Sequence, residues 1–467
     1  MPLKDNDTLT LDDLDDLLQM IREKKYRQLQ EVLITWNEAD IAELLEEISE
    51  EFGSDRGALV YRMLPKDLAI EVFAYLPPEN QGNLIAGMTD RELSHIVEEL
   101  YVDDAVDMLE ELPATVVRRI LQNATPETRR IINQFLNYPE DSAGSIMTSE
   151  YLSVKKNMNV GQTFDYIRSH GQDMETIYIL FVTDSGRRLE GVVTVKDLLM
   201  HPYEAVVGDI MDEHVIYAHT TDDQEDVAGQ FNRYDLLTLA VVDQEDRMVG
   251  IITIDDVVDV IEAEVTEDIE KMAAIVPTEH PYLKTGVLET WRSRIPWLLF
   301  LMISATFTGQ IITSFEDSLA AYVVLTSFIP MLMDTGGNSG SQASVTIIRA
   351  LSLGDVEFRD IFRVIWKEIR VAVLCGVTLA VVNFFKILLF DGMLMGNAAI
   401  TVPVAAVVCM TMVFTILCAK IVGCLLPMFV DRLGFDPAVM ASPFVTTIVD
   451  AISLLIYFQF ARLILGI

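Results

Sequence analysis

The residue with the clearest chemical demand is Asp450, which stands in the apolar run Phe444 to Leu465, about two turns beyond Pro443. A carboxylate that deep in a bilayer costs several kcal/mol unless water, a cation or a charged partner faces it. Two readings follow: an ion site, or a structural pair with Lys420 of the preceding apolar run. A second segment, Pro330-Met331-Leu332-Met333-Asp334-Thr335-Gly336-Gly337-Asn338-Ser339-Gly340-Ser341-Gln342, sets glycines, small residues and amides where a span would otherwise continue. It reads either as a break whose carbonyls and Asn338 side chain line a water-filled path, or as close helix packing through small residues. One hard oxygen ligand per chain suits Mg²⁺, which sheds its waters reluctantly and is held through few carboxylates. A two-fold axis along the path would supply two such ligands, so a homodimer is expected.

The third candidate is the run Asp255-Asp256-Val257-Val258-Asp259-Val260-Ile261-Glu262-Ala263-Glu264-Val265-Thr266-Glu267-Asp268. On a helix, acids three or four apart stack on one face and repel. Unit charges about 4 Å apart interact by about 4 kcal/mol at an effective dielectric near 20. Divalent cations would reverse that repulsion, and Asp103-Asp104-Ala105-Val106-Asp107 is a second patch able to share them. The expected metal-binding set is Asp450 in the membrane and Asp103, Asp107, Asp223, Glu225, Asp256, Asp259, Glu264, Glu267 and Asp268 outside it. A solvated surface role is the alternative for each acid taken singly.

Elements long enough to position Asp450 are plain in the hydropathy. Half of the 467 residues are hydrophobic (51%), and runs of about 20 apolar residues, the length that crosses a hydrocarbon core, occur near Pro296 to Thr313, Leu319 to Met333, Val371 to Phe390, Val402 to Val430 and Phe444 to Leu465. Arg349, Arg359, Arg363, Lys367 and Arg370 follow the second run, whereas Glu316, Asp317 and Asp391 follow the first and third. The positive-inside rule makes the basic connection cytoplasmic. Five spans then leave the N-terminal region in the cytoplasm and the C-terminus outside, in a plasma (inner) membrane protein whose first 30 residues lack a signal-peptide core.

Nearly all of the net charge of −37 sits before the membrane part, where residues 1–288 hold 59 acids against 23 bases. So acidic a surface repels phosphate backbones, and nucleic acid is not an expected partner. The four cysteines, Cys375, Cys409, Cys418 and Cys424, lie in apolar runs without zinc-type spacing and read as buried thiols. The six histidines are scattered without a nucleophile partner, so no enzyme is expected.

Two internal repeats organise this acidic part. Gly144-Ser145-Ile146-Met147 recurs as Gly208-Asp209-Ile210-Met211, and Glu190 to Leu199 recurs as Val249 to Val258, each an apolar β-type run turning into a helix. Upstream, Ala69 to Leu76-Pro77 is echoed by Ala105 to Leu112-Pro113, a spacing that suggests stacked helical units. The expected architecture is an all-α superhelical domain (1–137), two α+β modules (138–200 and 201–262), a linker helix (263–288) and a five-helix transmembrane domain (289–467).

Over essentially its whole length the sequence resembles the MgtE family of Mg²⁺ channels and transporters. The Pro330 to Gln342 string, Asp436-Pro437-Ala438, the buried Asp450 and the ending Leu455-Ile456-Tyr457 to Ala461-Arg462-Leu463 carry that resemblance in order. It implies that Asp450 holds hydrated Mg²⁺ on a dimer axis, assisted by Gly336, Gly337 and Asn338, with Ala441 and Ser442 beside it. Some members carry Asn where Ser442 stands, which leaves selectivity over Mn²⁺, Co²⁺ or Ca²⁺ open. The repeated modules look like tandem CBS domains, regulatory units that often bind adenosine nucleotides. ATP is therefore a candidate cofactor beside Mg²⁺, although the residues contain no P-loop. The stretch after Glu262 matches the family's plug helix, and the expected function is Mg²⁺ import closed by internal Mg²⁺. A broader divalent-cation importer or a cation-coupled carrier is the alternative.

Overall fold

A computed structural model describes residues 11–466 except 111, 279–281, 284, 398 and 441; the side chains of residues 11–16, 78, 79, 86, 173, 440 and 442 also lie outside the description. The chain divides into two compact units after Ile261.

Among the described residues of the first unit, ten helices run from Leu11–Arg22 to Pro126–Phe135. The echo seen in sequence is a repeated helix pair: Lys66–Ala74 and Pro78–Ala86 recur as α1 (Val102–Glu110) and Ala114–Asn123. Proline opens the second helix or caps it in each pair, where its missing N–H costs nothing. Phe73, Ile96, Val106 and Leu109 join one core with Met147, Leu239 and Val257 of the strand-bearing region.

That region holds two three-stranded sheets of the same design. Parallel β1 (Tyr151–Val154) and β2 (Thr176–Thr183) are followed by β3 (Leu189–Thr194), antiparallel to β2. The second copy repeats this with β4 (Tyr217–His219), β5 (Thr238–Val242) and β6 (Met248–Thr253). The two copies interlock, which explains the repeated motif. Gly250 on β6 packs against Met147 and Thr148 of the first copy, while Gly191 on β3 packs against Met211 and Asp212 of the second. Single bridges Thr148↔Ile251 and Val192↔Asp212 fix both junctions. A Cβ on Gly250 would stand 2.6 Å from the Thr148 carbonyl oxygen and on Gly191 2.9 Å from that of Asp212, so each site requires glycine.

Strand β6 turns directly into α2 (Ile254–Met272). The linker helix expected over 263–288 is thus the tail of a longer helix that starts within the second CBS copy. No glycine or proline interrupts residues 254–272. The helix stops where Ala274 adopts a left-handed φ of 55°, and the described residues from 273 to 286 contain no further helix.

The second unit contains α3 (Val287–Ser314), α4 (Ile329–Ser352), α5 (Ile361–Lys386), α6 (Val402–Arg432) and α7 (Ser442–Leu465). Among the described residues, four helical stretches are long and apolar enough to cross a membrane: Val287–Ser314, Phe358–Leu394, Val402–Arg432 and Pro443–Leu465. Here the expectation for the second span needs correction. Leu319 to Met333 is not one helix: Glu316–Ala321 is a short α-helix and Val323–Phe328 a 3₁₀ turn, and the long helix begins at Ile329. Pro330 sits in its first turn, where proline favours initiation. The break expected between Pro330 and Gln342 is also absent, since α4 runs unbroken through it to Ser352.

Small residues serve helix contact there instead. Gly336 packs against Thr415, Val449 and Ser453, Gly337 against Thr446, and Gly340 against Val445 and the Ala419 carbonyl. Helix α4 is thereby wedged against α6 and α7, the close approach that glycines allow in a membrane. Gly423 on α6 faces the Gly340 carbonyl oxygen, and an added Cβ would overlap it. We expect Gly423→Ala to destabilise the detergent-solubilised protein by about 1–3 kcal/mol, read as a fall in thermal midpoint. Gly309→Ala on α3, with nothing within 4 Å of its Cβ position, should leave the midpoint unchanged. Equal shifts in the two variants would refute the wedge.

Candidate functional site

Asp450 lies on α7, half-buried. Its alternative partner is taken: the Lys420 ammonium pairs with Glu368 of α5 at 3.5 Å, both side chains almost fully enclosed. The charged group that acts on Asp450 is a second carboxylate, Asp334 of α4. Asp334 in turn accepts a hydrogen bond from the Asn338 side-chain amide at 3.1 Å, one helical turn away. Among the described residues no basic side chain pairs with Asp450 or Asp334. The approach of Asp334 to Asp450 depends on the close packing of α4 on α7 at Gly336 and Gly337, which sequence spacing does not reveal.

Gly336 and Gly337 are buried in the α4 packing, whereas Asn338 is exposed. Ala441 and the Ser442 side chain lie outside the described residues. Asp436 opens the approach to α7: its Oδ1 accepts from the Ala438 amide at 2.7 Å, capping the turn Pro437–Met440.

A second set of acids gathers in the first unit. Asp103 and Asp104 of α1, Glu150, Glu175 just before β2, and Asp255 and Asp256 at the start of α2 act on one another electrostatically. Burial, then Asp104 and Asp256, hold the Asp103 carboxyl well above its ordinary range. Burial, then Asp256 and Asp255, push Asp104 to about 6 and Glu175 to about 7. Asp256 is raised too, chiefly by burial, although it accepts a 2.7 Å bond from the Thr253 hydroxyl. Sequence reasoning named Asp103 and Asp256 but missed Glu150 and Glu175, which stand far from either run in the chain.

The remaining acids are dispersed. Asp223 caps the helix Gln224–Tyr234 by accepting from the Glu225 amide at 2.9 Å, and Asp223, Glu225 and Asp107 are all exposed. Asp259 adds to the repulsion on Asp256; Glu264 is half-buried. Glu267 pairs with Lys271 at 2.6 Å, and burial, then Asp436, raise Asp268. Among the described residues no three Asp, Glu, His or Cys side chains form a group that could hold a metal ion.

The raised carboxyls fix a pH dependence. A carboxyl whose folded pKa exceeds its unfolded value near 4 favours the folded form below that value and loses the advantage as pH rises through the folded pKa. For Asp104 and Glu175 that window ends near 6 and 7. Without divalent cations, the cytoplasmic transition of the full chain should therefore melt lower at pH 8 than at pH 5.5. Mg²⁺ should raise it strongly at pH 8 and little at pH 5.5. An equal Mg²⁺ effect at both values would contradict this electrostatic account.

Comparison with known proteins turns these observations into a family assignment. Residues 329–460 match the family described as MgtE, divalent cation transporter; 36–141 match the MgtE intracellular N domain; and 143–204 and 207–263 match CBS domains. The magnesium transporter MgtE of Thermus thermophilus is 38% identical over 96% of this chain and 98% of its own length. The chain belongs to the MgtE family. A crystal structure of the soluble part of a magnesium transporter is 28% identical, covering 54% of this chain and 97% of that one, with a TM-score of 0.50. Another, of the cytosolic domain of the Mg²⁺ channel MgtE in complex with ATP, is 36% identical over 53% of this chain and 99% of that one, with a TM-score of 0.49. The multidomain MgtE architecture, with an N-terminal helical domain, a CBS tandem and a helical apolar region, is the one built above.

Proposed function

We propose that this MgtE-family protein imports Mg²⁺ across the plasma membrane, that hydrated Mg²⁺ passes at Asp450, and that internal Mg²⁺ closes the path. The observation that carries the reading is a carboxylate within a membrane helix whose charged neighbour is a second carboxylate, while the candidate lysine is committed elsewhere. Such a pair is tolerable where a hydrated cation visits it. Exposed Asp334 and Asn338 supply the outer oxygens and Asp450 the inner one, and a homodimer with the path on its axis would double all three. The cytoplasmic region is the sensor: acids of α1, the first CBS copy and α2 repel at low Mg²⁺ and are drawn together at high Mg²⁺. The N-terminal region and the basic connection after α4 face the cytoplasm in this reading, and the C-terminus faces outward.

Uptake by liposomes bearing the full chain tests it. Mg²⁺ should enter under voltage alone, without a Na⁺ or H⁺ gradient. An absolute need for such a gradient would favour the coupled-carrier alternative, and equal uptake of Mn²⁺ or Co²⁺ the broader importer.

A further inference from the structure

Lys271 lies in the last turn of α2 and touches two carboxylates from different elements. Its ammonium is 2.6 Å from Glu267 Oε1, one turn back on α2, and 2.7 Å from Asp436 Oδ2, on the turn that leads into α7. Asp436 is itself fixed, because its other oxygen accepts from the Ala438 amide. Burial works against the Lys271 charge, yet the bonds it donates to Asp436 and Glu267 outweigh it and hold the ammonium protonated. Next to the pair, Met272 packs on Ile348 of α4 and on Ala438. The end of α2 thus rests on α4, which carries Asp334, and on the turn that leads into α7, with one ammonium of the protein itself shared between two carboxylates. Asp268 lies in the same field, acted on by Asp436 and by Arg349 from the last turn of α4.

We propose that Lys271 is a tethered cation that latches α2 onto the Asp436 turn and holds the path shut, lowering the amount of internal Mg²⁺ needed for closure. This inference rests on the Mg²⁺-closed reading above. Free divalent ions have to neutralise only the acids that Lys271 does not reach. The sign separates this role from simple competition. If Lys271 is a latch, its loss makes closure harder; if it merely occupies carboxylates that Mg²⁺ would use, its loss makes closure easier.

The test is current through the full chain in liposome patches while cytoplasmic Mg²⁺ is titrated. Lys271→Gln should raise the half-closing Mg²⁺ concentration about fivefold, the lower end of ordinary coupling energies because the pair is partly solvated. Lys271→Arg should stay near wild type. Asp436→Asn, which keeps the cap acceptor, should shift the same way as Lys271→Gln, and the double variant should shift no further than either single one. A superimposable or lowered half-closing concentration in Lys271→Gln overturns the latch, as does a double variant whose shift is the sum of the two. If Lys271→Gln does not insert, Asp436→Asn alone decides: no rise overturns the latch. A wild-type current that ignores cytoplasmic Mg²⁺ refutes the gating reading itself, a distinct outcome.

Discussion

Asp450→Asn should cut Mg²⁺ uptake into liposomes by about 10- to 150-fold, the range set by 1.5–3 kcal/mol for a hydrogen bond to a charged group. The amide keeps size and shape but loses the charge that attracts the waters around Mg²⁺. Asp450→Ala should lose at least as much, because it also removes the acceptor. Asp334→Asn should lose less, since Asp334 is exposed and already holds the Asn338 amide. The ordering has a structural basis: Asp450 on α7 is half-buried, whereas Asp334 on α4 is exposed. Wild-type uptake and selectivity in both Asp450 variants would remove the main support for the path.

Neutralising Asp256, Asp259, Glu264 and Glu267 together should produce the opposite defect, currents that persist at millimolar internal Mg²⁺. Asp256 and Asp259 repel each other by an amount that solvent reduces, and Glu267 already holds Lys271, so single changes should shift closure little and the combined change a great deal. Asp256 is the most consequential member, being half-buried and acting on Asp104 and Glu175 alike. It also accepts the Thr253 hydroxyl, so Asp256→Asn is the substitution that separates charge from capping. Block of the quadruple variant at the wild-type Mg²⁺ concentration would refute cation bridging as the closing force.

Much of this was legible in the residues, for identifiable reasons. The CBS repeat showed because each copy must present a glycine on its last strand to the Ile-Met segment of the other, so the constraint is written twice. Asp450 showed because a lone carboxylate in an apolar run has no inexpensive structural explanation. The Gly336-Gly337-Asn338 segment was ambiguous for a physical reason as well. Glycines permit both an opened backbone and a close helix contact, and only the positions of Thr415, Thr446 and Val449 on other helices decide for contact. The second span was misplaced because hydropathy favours Leu319 to Met333, while the real helix hides a face of glycine and serine that scores as polar. Glu150 and Glu175 could not be found by spacing at all, since tertiary packing alone brings them to α1 and α2. The interaction of Lys420 with Glu368 rather than Asp450 is of the same kind.

The central claim, a Mg²⁺ path governed by Mg²⁺, is tested most directly by single-channel recording of the full chain with Mg²⁺ as the sole permeant cation. The cytoplasmic side is stepped from Mg²⁺-free to millimolar Mg²⁺ and back. The account predicts discrete Mg²⁺ currents that disappear at high cytoplasmic Mg²⁺ and return on washout. Transport without current, or current indifferent to cytoplasmic Mg²⁺, would contradict it.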